Sequence, residues 1–336
     1  MKILTYNDIE RDEWSRLVRI SRTGSWFQTL EAYTFFATQQ ERMTPFVVGI
    51  QSAVNGLPTL RGVCVGYVTK EKSRLRQFFT RRAIIPGGPA LADDVTSAEV
   101  SALMRAVIST IYAEPFNRQP IYIETRNFED YSQWQSAFIE AGFSYKKHLN
   151  FHVDCTDREV MQGRLSDNRR RQLRRSDATT APAQSEQEIR EWYAVLDHLY
   201  RTKVKTPLWP VEFFLDAYRQ GVATFMLVKH DHRVIGGTMM VMSERCVYEW
   251  FECGMNATYR DQYPSVMATW AGIIYAHEHC YLRYDMMGAG QPDKPYGVRD
   301  FKSEFGGTMV QHGRFLHVCQ PCLYHLGTCA VRLLKR

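Results

Sequence analysis

The helical and strand patterns of this chain run through the same order twice, and that repetition limits the fold more than any single motif does. In the first half a helical pattern at about 27–38 precedes two alternating apolar strands, Thr44–Gln51 and Leu60–Thr69, separated by a turn at Asn55-Gly56-Leu57-Pro58. An apolar segment near Gln77–Ile85 stops at Pro86-Gly87-Gly88-Pro89. A long helix at about 96–114 follows, then a strand Ile121–Arg126, a helix Tyr131–Phe143 and a closing strand Lys146–Asp154. The second half offers helices at about 185–203 and 210–220, then strands Ala223–His230, Val234–Ser243 and Cys246–Met255. A helix at about 264–280 comes next, then a strand Leu282–Gly288, a short helix through Lys302 and a closing strand Met309–Val318. Gly142 and Gly306 end corresponding helices, where a residue tolerant of positive φ fits best. The repeat lies in the order of elements, not in residue identity. It predicts two α+β domains at about 1–155 and 185–320, joined by a linker at about 156–184 and followed by a helix at 321–336.

Length agrees, since 336 residues exceed what one core usually organises. A hydrophobic content of 45% with 23% charged residues excludes a disordered chain. No stretch approaches the ~20 apolar residues of a membrane span, and the start, MKILTYNDIERDEW, is too short in apolar residues for a secretory leader. A cytoplasmic protein is expected, with no transmembrane segment. The net charge of +6 is modest, but Asn168–Arg175 packs five arginines into eight residues. Such a run either meets phosphates, of RNA or of a nucleotide-linked substrate, or is a solvated helix face.

Eight cysteines are scattered, and Cys319-Gln320-Pro321-Cys322 is a lone CxxC without a second ligand pair. His277 and Cys280 share a helix face without further ligands. No metal site and no disulfide are expected.

The chemistry-bearing stretch is Tyr284-Asp285-Met286-Met287-Gly288-Ala289-Gly290, followed by Gly297–Gly307. It sets an apolar strand beside a Gly/Pro loop and a short helix carrying Arg299, Phe301 and Lys302. A cation at such a junction can stabilise negative charge developing on an acyl group once water is excluded; a solvated helix lysine is the plain alternative. The first half has Ala137-Phe138 in the matching region and no cation, so any chemistry belongs mainly to the second half.

The order of helices, antiparallel meander, helix, strand, helix, strand resembles a GNAT-type acyltransferase domain, here in tandem. In that fold a Gly-rich turn opening the long helix cradles the pyrophosphate of acyl-CoA. The matching stretch is Tyr259-Arg260-Asp261-Gln262-Tyr263-Pro264-Ser265. Arg260 fits, but Tyr263 and Ser265 replace small residues and Pro264 removes a donor. Thr96-Ser97-Ala98-Glu99 shows no phosphate loop either.

The tandem plan together with Tyr284–Gly288, Gly297-Val298-Arg299 and Phe301–Gly307 resembles the Fem family of peptidoglycan-bridge aminoacyltransferases. Weaker matches are Ser25-Trp26-Phe27-Gln28, Gly87-Gly88-Pro89 and the Arg169–Arg175 run. The resemblance implies transfer of an aminoacyl group from aminoacyl-tRNA, with no resident cofactor, to an amine of a cell-wall precursor or other phosphate-bearing or lipid-linked acceptor. It also implies that Lys302 steadies the acyl oxyanion and that Phe301 packs at the reacting end or fixes the lysine rotamer. Asp285 either orients or deprotonates the amine, or caps the loop that follows it. Arg299, Arg260 and the adjacent Tyr259 are candidates for substrate binding, the arginines through their forks. Arg169 and Arg170 are candidates for a diphosphate or the tRNA backbone. An acyl-CoA donor and a non-catalytic RNA-binding or scaffold role are the two alternatives. The long helical hairpin of some family members has no counterpart here. The tail from Pro321, with Leu323, Leu326, Val331, Leu333, Leu334, Arg332, Lys335 and Arg336, either docks on the second domain or touches a membrane surface.

Overall fold

A computed structural model describes residues 1–71, 79–115 and 118–334, with side chains as far as Cys329. The chain divides into two units, Met1–His148 together with the chain from Gln311 onward, and Leu149–Val310. Strands β1 (Lys2–Leu4), β2 (Met43–Val54), β3 (Leu57–Thr69), β4 (Ala83–Gly87), β5 (Ala90–Leu91), β6 (Tyr122–Asn127) and β7 (Ser144–Lys146) belong to the first unit. The second holds β8 (Asn150–Asp154), β9 (Thr179–Pro182), β10 (Thr224–His230), β11 (Arg233–Met242), β12 (Cys246–Gly254), β13 (Arg283–Gly288) and β14 (Thr308–Val310). A last strand, β15 (Arg314–Val318), returns to the first.

The two sheets have one topology. The first runs β1-β2-β3-β4-β6-β15-β7, with β5 added on β3, and the second β9-β10-β11-β12-β13-β8-β14. In both, a parallel pair (β4·β6, β12·β13) follows the antiparallel meander. In both, the next strand is remote in sequence from its neighbours, so the two halves of the repeat exchange closing strands: β15 sits between β6 and β7, and β8 between β13 and β14.

This exchange corrects the expected boundaries. Lys146–Asp154 and Met309–Val318 are not single closing strands; each is split between the two sheets. Phe151 and Val153 of β8 are buried in the second core, and Phe315 of β15 in the first. The stretch expected as a linker at 156–184 is part of the second unit. Asp157 caps a helix Arg158–Arg164, Ser166 caps a helix Asp167–Arg175, and β9 pairs with β10. Met161 and Leu165 anchor the segment in the core.

The long helices begin where capping chemistry allows. Ser97–Tyr112 starts from a reciprocal Thr96–Glu99 box. Pro264–Glu278 starts with proline in its first turn, after Tyr263 in the left-handed region at φ 47°. The C-terminal helix Pro321–Leu334 belongs to the first unit, contrary to expectation, and Tyr324 packs edge-on to Tyr122 of β6 at 5.8 Å. Leu326 on it is exposed. The tail side chains Val331, Arg332, Leu333 and Leu334, with Lys335 and Arg336, lie outside the described residues, as does the part of the expected Gln77–Ile85 segment before Phe79. Among the described residues no helix is long and apolar enough to cross a membrane.

Candidate functional site

The two parallel pairs differ, and the difference locates the site. In the first unit β4 and β6 stay in register over five pairs, Ala83↔Ile123 through Gly87↔Asn127. The gap between β3 and β4 is filled by Gln28, fully buried, whose Nε2 donates to Val65 O at 3.0 Å and Pro86 O at 2.8 Å while its Oε1 accepts from Val65 N at 2.7 Å. The turn at Gly87-Gly88, both at positive φ, is sealed by Tyr131, whose hydroxyl donates to Pro89 O at 2.7 Å and leaves no room for a Cβ on Gly88. Ser25–Gln28 and Gly87–Pro89 are therefore the packing of a closed sheet.

In the second unit β12 and β13 pair only at Cys246↔Arg283, Val247↔Tyr284 and Tyr248↔Asp285. Beyond that point the strands part, and a bulge at Trp250 of β12, opposite Met239 and Met240 of β11, shifts the register of the rest of β12. Glu249 and Glu252 come from the freed part of β12, Asp285 to Gly288 from β13.

Lys302, on the helix Gly297–Ser303, is 8% exposed. Its Nζ donates to Met286 O and, at 3.0 Å, to Gly288 O. An ammonium has three N–H groups, and the third has no partner among the described residues. Burial pulls the lysine below its usual range, while the charges of Glu249, Asp285 and Glu252 oppose that shift. It is a buried cation, not a solvated one.

The carbonyls it holds face it because Met287 sits at φ 58°, a region a methionine seldom adopts. Asp285, fully buried, supports the same turn: its Oδ1 accepts from Met287 N at 2.6 Å. Its Oδ2 lies 3.3 Å from His152 Nε2. Burial acts to raise Asp285, but His152, Arg283 and the Met287 N–H hold it below the usual carboxylate range. The geometry thus assigns Asp285 to the turn, where its sealed oxygens meet a backbone N–H and an imidazole. His152 reaches it because β8, the exchanged strand, sets His152 opposite Asp285 in register.

Glu249 accepts from Tyr284 Oη at 3.0 Å and Thr269 Oγ1 at 3.1 Å, and burial raises it above the usual range against the pull of Lys302. Glu252 is pushed up to about 8 by burial and by Glu249, against the pull of Ser265 and Lys302, and its Oε1 is sealed from solvent with no hydrogen-bond donor among the described residues. Sequence reading missed His152, Glu249 and Glu252.

The other expected residues fall into two groups. Arg169 is buried and stacks over Phe301 at 4.6 Å and Phe305 at 5.3 Å, with its Nη1 donating to Gln172 Oε1 at 2.6 Å. It joins the basic helix to the helix of Lys302, so Arg169, Phe301 and Lys302 do come together, with Arg169 as a packing residue. Arg170 is tied to Asp167 Oδ1 at 2.5 Å and Gly163 O at 3.1 Å. Arg171, Arg174 and Arg175 are exposed on the outer side of this helix. Arg299 spends its guanidinium on the carbonyls of Ala289, Pro292, Gln291 and Lys294, clamping the loop between β13 and its own helix.

Arg260 is exposed and donates to Ala257 O at 3.4 Å, while Tyr259 packs at the Ala178–Val228–Ile235 cluster. Neither bonds to the Lys302 group. At the start of the long helix, Asn256 Oδ1 accepts from Ser265 N at 3.1 Å and Asn256 Nδ2 donates to Ser265 Oγ at 2.7 Å. A side chain occupies the position a phosphate oxygen would take. Among the described residues no cluster is placed to hold a metal ion, and all eight cysteines are free.

Residues 213–332 match the sequence model of the FemAB family. In fold the chain is similar to FemX, with a TM-score of 0.69 at 12% identity, covering 97% of this chain and 99% of that one. It is also similar to the C-terminal domain of a putative lysylphosphatidylglycerol synthetase from Agrobacterium fabrum, with a TM-score of 0.56 at 11% identity and 95% of each chain covered. A tandem GNAT protein from the clavulanic acid biosynthesis pathway gives 0.55 at 7% identity, covering 94% of this chain and 97% of that one. None of the curated proteins compared matches the sequence. The FemAB match thus falls on the part of the chain that carries Lys302, and the chain as a whole has the tandem GNAT fold that FemX shares.

Proposed function

We propose that this transferase moves an aminoacyl group from aminoacyl-tRNA to the amine of a cell-wall precursor or related phosphate-bearing acceptor, in the second unit. The observation that carries the reading is the unspent N–H of a buried Lys302 beside the opening between β12 and β13. The FemAB match supports the reaction class, and the name of a lysylphosphatidylglycerol synthetase of similar fold pairs an aminoacyl group with a lipid phosphate.

In this reaction the acceptor nitrogen attacks the ester carbonyl carbon. The carbonyl oxygen takes the negative charge and receives the third Lys302 N–H, an interaction strongest in the transition state. The C–O bond to the ribose breaks, an amide remains, and the proton lost by the nitrogen ends on the departing ribose oxygen. Glu252 suits the relay of that proton, because a base titrating near the working pH is the effective one. Asp285 and His152 keep the Met286–Gly288 turn, and hence the lysine, in place. The exposed Arg171, Arg174 and Arg175 suit the donor's phosphates.

An acyl-CoA donor is disfavoured by the Asn256 bonds to Ser265. The test is incubation of the protein with labelled aminoacyl-tRNA and cell-wall precursors, scored for a labelled amide. Failure with every charged tRNA, alongside thermal stabilisation by CoA, would reverse the choice of donor.

A further inference from the structure

The first unit carries a group of charges that the transfer reaction does not use. Alternation along β6 turns Ile123, Thr125 and Asn127 to one face and Tyr122, Glu124 and Arg126 to the other. The register extends that second face across the sheet, to Ile84 and Tyr67 on one side and to Leu316 on the other. Arg82, two residues before Ile84, falls on it. So does Arg314, two before Leu316, with Lys146 directly opposite on β7. Four cations share this face with one carboxylate.

Glu124 is divided between two of them. Its Oε2 accepts from Arg126 Nε at 3.0 Å and its Oε1 from Arg314 Nη1 at 3.1 Å. Each bond consumes one N–H of a guanidinium that has five. The Arg82 guanidinium has no hydrogen-bond or ion-pair partner among the described residues, and its Nε is sealed from solvent. Burial raises the Tyr67 hydroxyl above its usual range and the charges of Arg126 and Arg82 pull it back, so both guanidiniums stand near that ring. The side chains of Arg126 and Arg314 remain 38% and 25% exposed, so a ligand can reach them. Arg314 facing Lys146 across a strand pair is a like-charge contact, unfavourable when nothing neutralises it.

We propose that this face of the first unit binds a phosphate-bearing ligand, gripped by Arg82, Arg126 and Arg314 with Glu124 setting the distance between two of the three forks. Guanidinium forks with free N–H groups match phosphate oxygens in pairs. The Arg82 guanidinium has no acceptor among the described residues, and an anion bonded to that guanidinium supplies one. The phosphate belongs either to a nucleotide or to a lipid headgroup. The site stands apart from the reaction assigned to Lys302, and its failure would leave that reading intact.

Calorimetric titration of inorganic pyrophosphate into the full-length protein at low ionic strength tests it. Wild type binds, and Arg82→Gln, which removes no hydrogen bond or ion pair of the side chain among the described residues, weakens binding about tenfold, the worth of one charge-assisted bond. Arg314→Gln acts likewise, and Arg19→Gln, an exposed residue of the first unit's N-terminal helix outside the Glu124 network, leaves affinity unchanged. Should Arg82→Gln not fold, modification of wild-type Arg82 by phenylglyoxal, followed by mass spectrometry, replaces it: pyrophosphate protects the residue if it lies in the site and leaves it reactive if it does not. Parallel arms with ADP and with phosphatidylglycerol against phosphatidylcholine vesicles separate a nucleotide from a headgroup. Absence of binding at millimolar pyrophosphate overturns the proposal. So does binding indifferent to both arginine substitutions, the mark of an adventitious ion only.

Discussion

Lys302 and Asp285 hold the same turn from two sides. The lysine donates to the carbonyls of Met286 and Gly288, and the aspartate accepts the N–H of Met287 between them. Met287 is kept at a positive φ that costs on the order of 1–3 kcal/mol, so the two charged groups maintain a conformation the backbone would otherwise leave. The lysine with the unspent N–H is thus held by the same turn as a carboxylate whose oxygens already meet a backbone N–H and an imidazole.

Lys302→Met should lower the transfer rate roughly 100- to 1000-fold, the usual cost of removing one oxyanion donor. Initial rates with labelled aminoacyl-tRNA, together with far-UV circular dichroism to confirm folding, measure it. A folded variant with wild-type rates removes Lys302 from the reaction.

Asp285→Asn keeps an acceptor for the Met287 N–H but loses the charge facing His152. Because the folded state holds Asp285 below its usual range, its stabilisation is present above the unfolded value near about 3.9 and is lost as pH falls through the lower folded value. Urea midpoints from acid to neutral pH should show a shallower acid decline in the variant. An unchanged profile would mean that Asp285 is not charged in the folded protein.

Glu252 behaves with the opposite sign. Its folded value, about 8, lies above the unfolded one, so the native state binds the extra proton and stability falls as pH rises from about 4.3 to 8. Glu252→Gln should flatten that decline and remove the rise of the transfer rate as pH climbs toward 8, where a base of that value loses its proton. Thermal midpoints and a pH–rate profile read the two effects separately.

Gln28→Ala should destabilise the first unit by about 3 kcal/mol, since it leaves Val65 N, Val65 O and Pro86 O without partners inside a closed sheet. Urea unfolding followed by tryptophan fluorescence measures the loss. A change under about 0.5 kcal/mol would show that water replaces the side chain freely.

The tandem plan was legible because each meander and long helix has its own apolar period, and Lys302 and Asp285 because seventeen positions of chain (302 − 285) hold them in one strand–loop–helix unit. The exchange of β8 and β15 was not. Alternation shows that a strand is half-buried, but Phe151 and Phe315 say nothing of which core receives them. His152 was missed for that reason: its partner lies 133 positions away (285 − 152), in the other half of the repeat. Glu249 and Glu252 carry no signal of their own within the strand pattern, and only the parting of β12 from β13 brings them beside Lys302. The arginine run was expected in a linker, and the sequence could not tell that it forms a helix on which Arg169 turns inward onto Phe301 while Arg174 and Arg175 stay outside.

The return of β15 to the first sheet sets an order of events on the ribosome. A chain emerging from its N-terminus has every strand of the second unit once Val310 is free, whereas the first unit still lacks the strand that separates β6 from β7. Domains that fold as units during synthesis normally do so from the N-terminus onward. Here the half that begins first must wait, and the half bearing Lys302 is able to close while its elder neighbour is still an unfinished sheet.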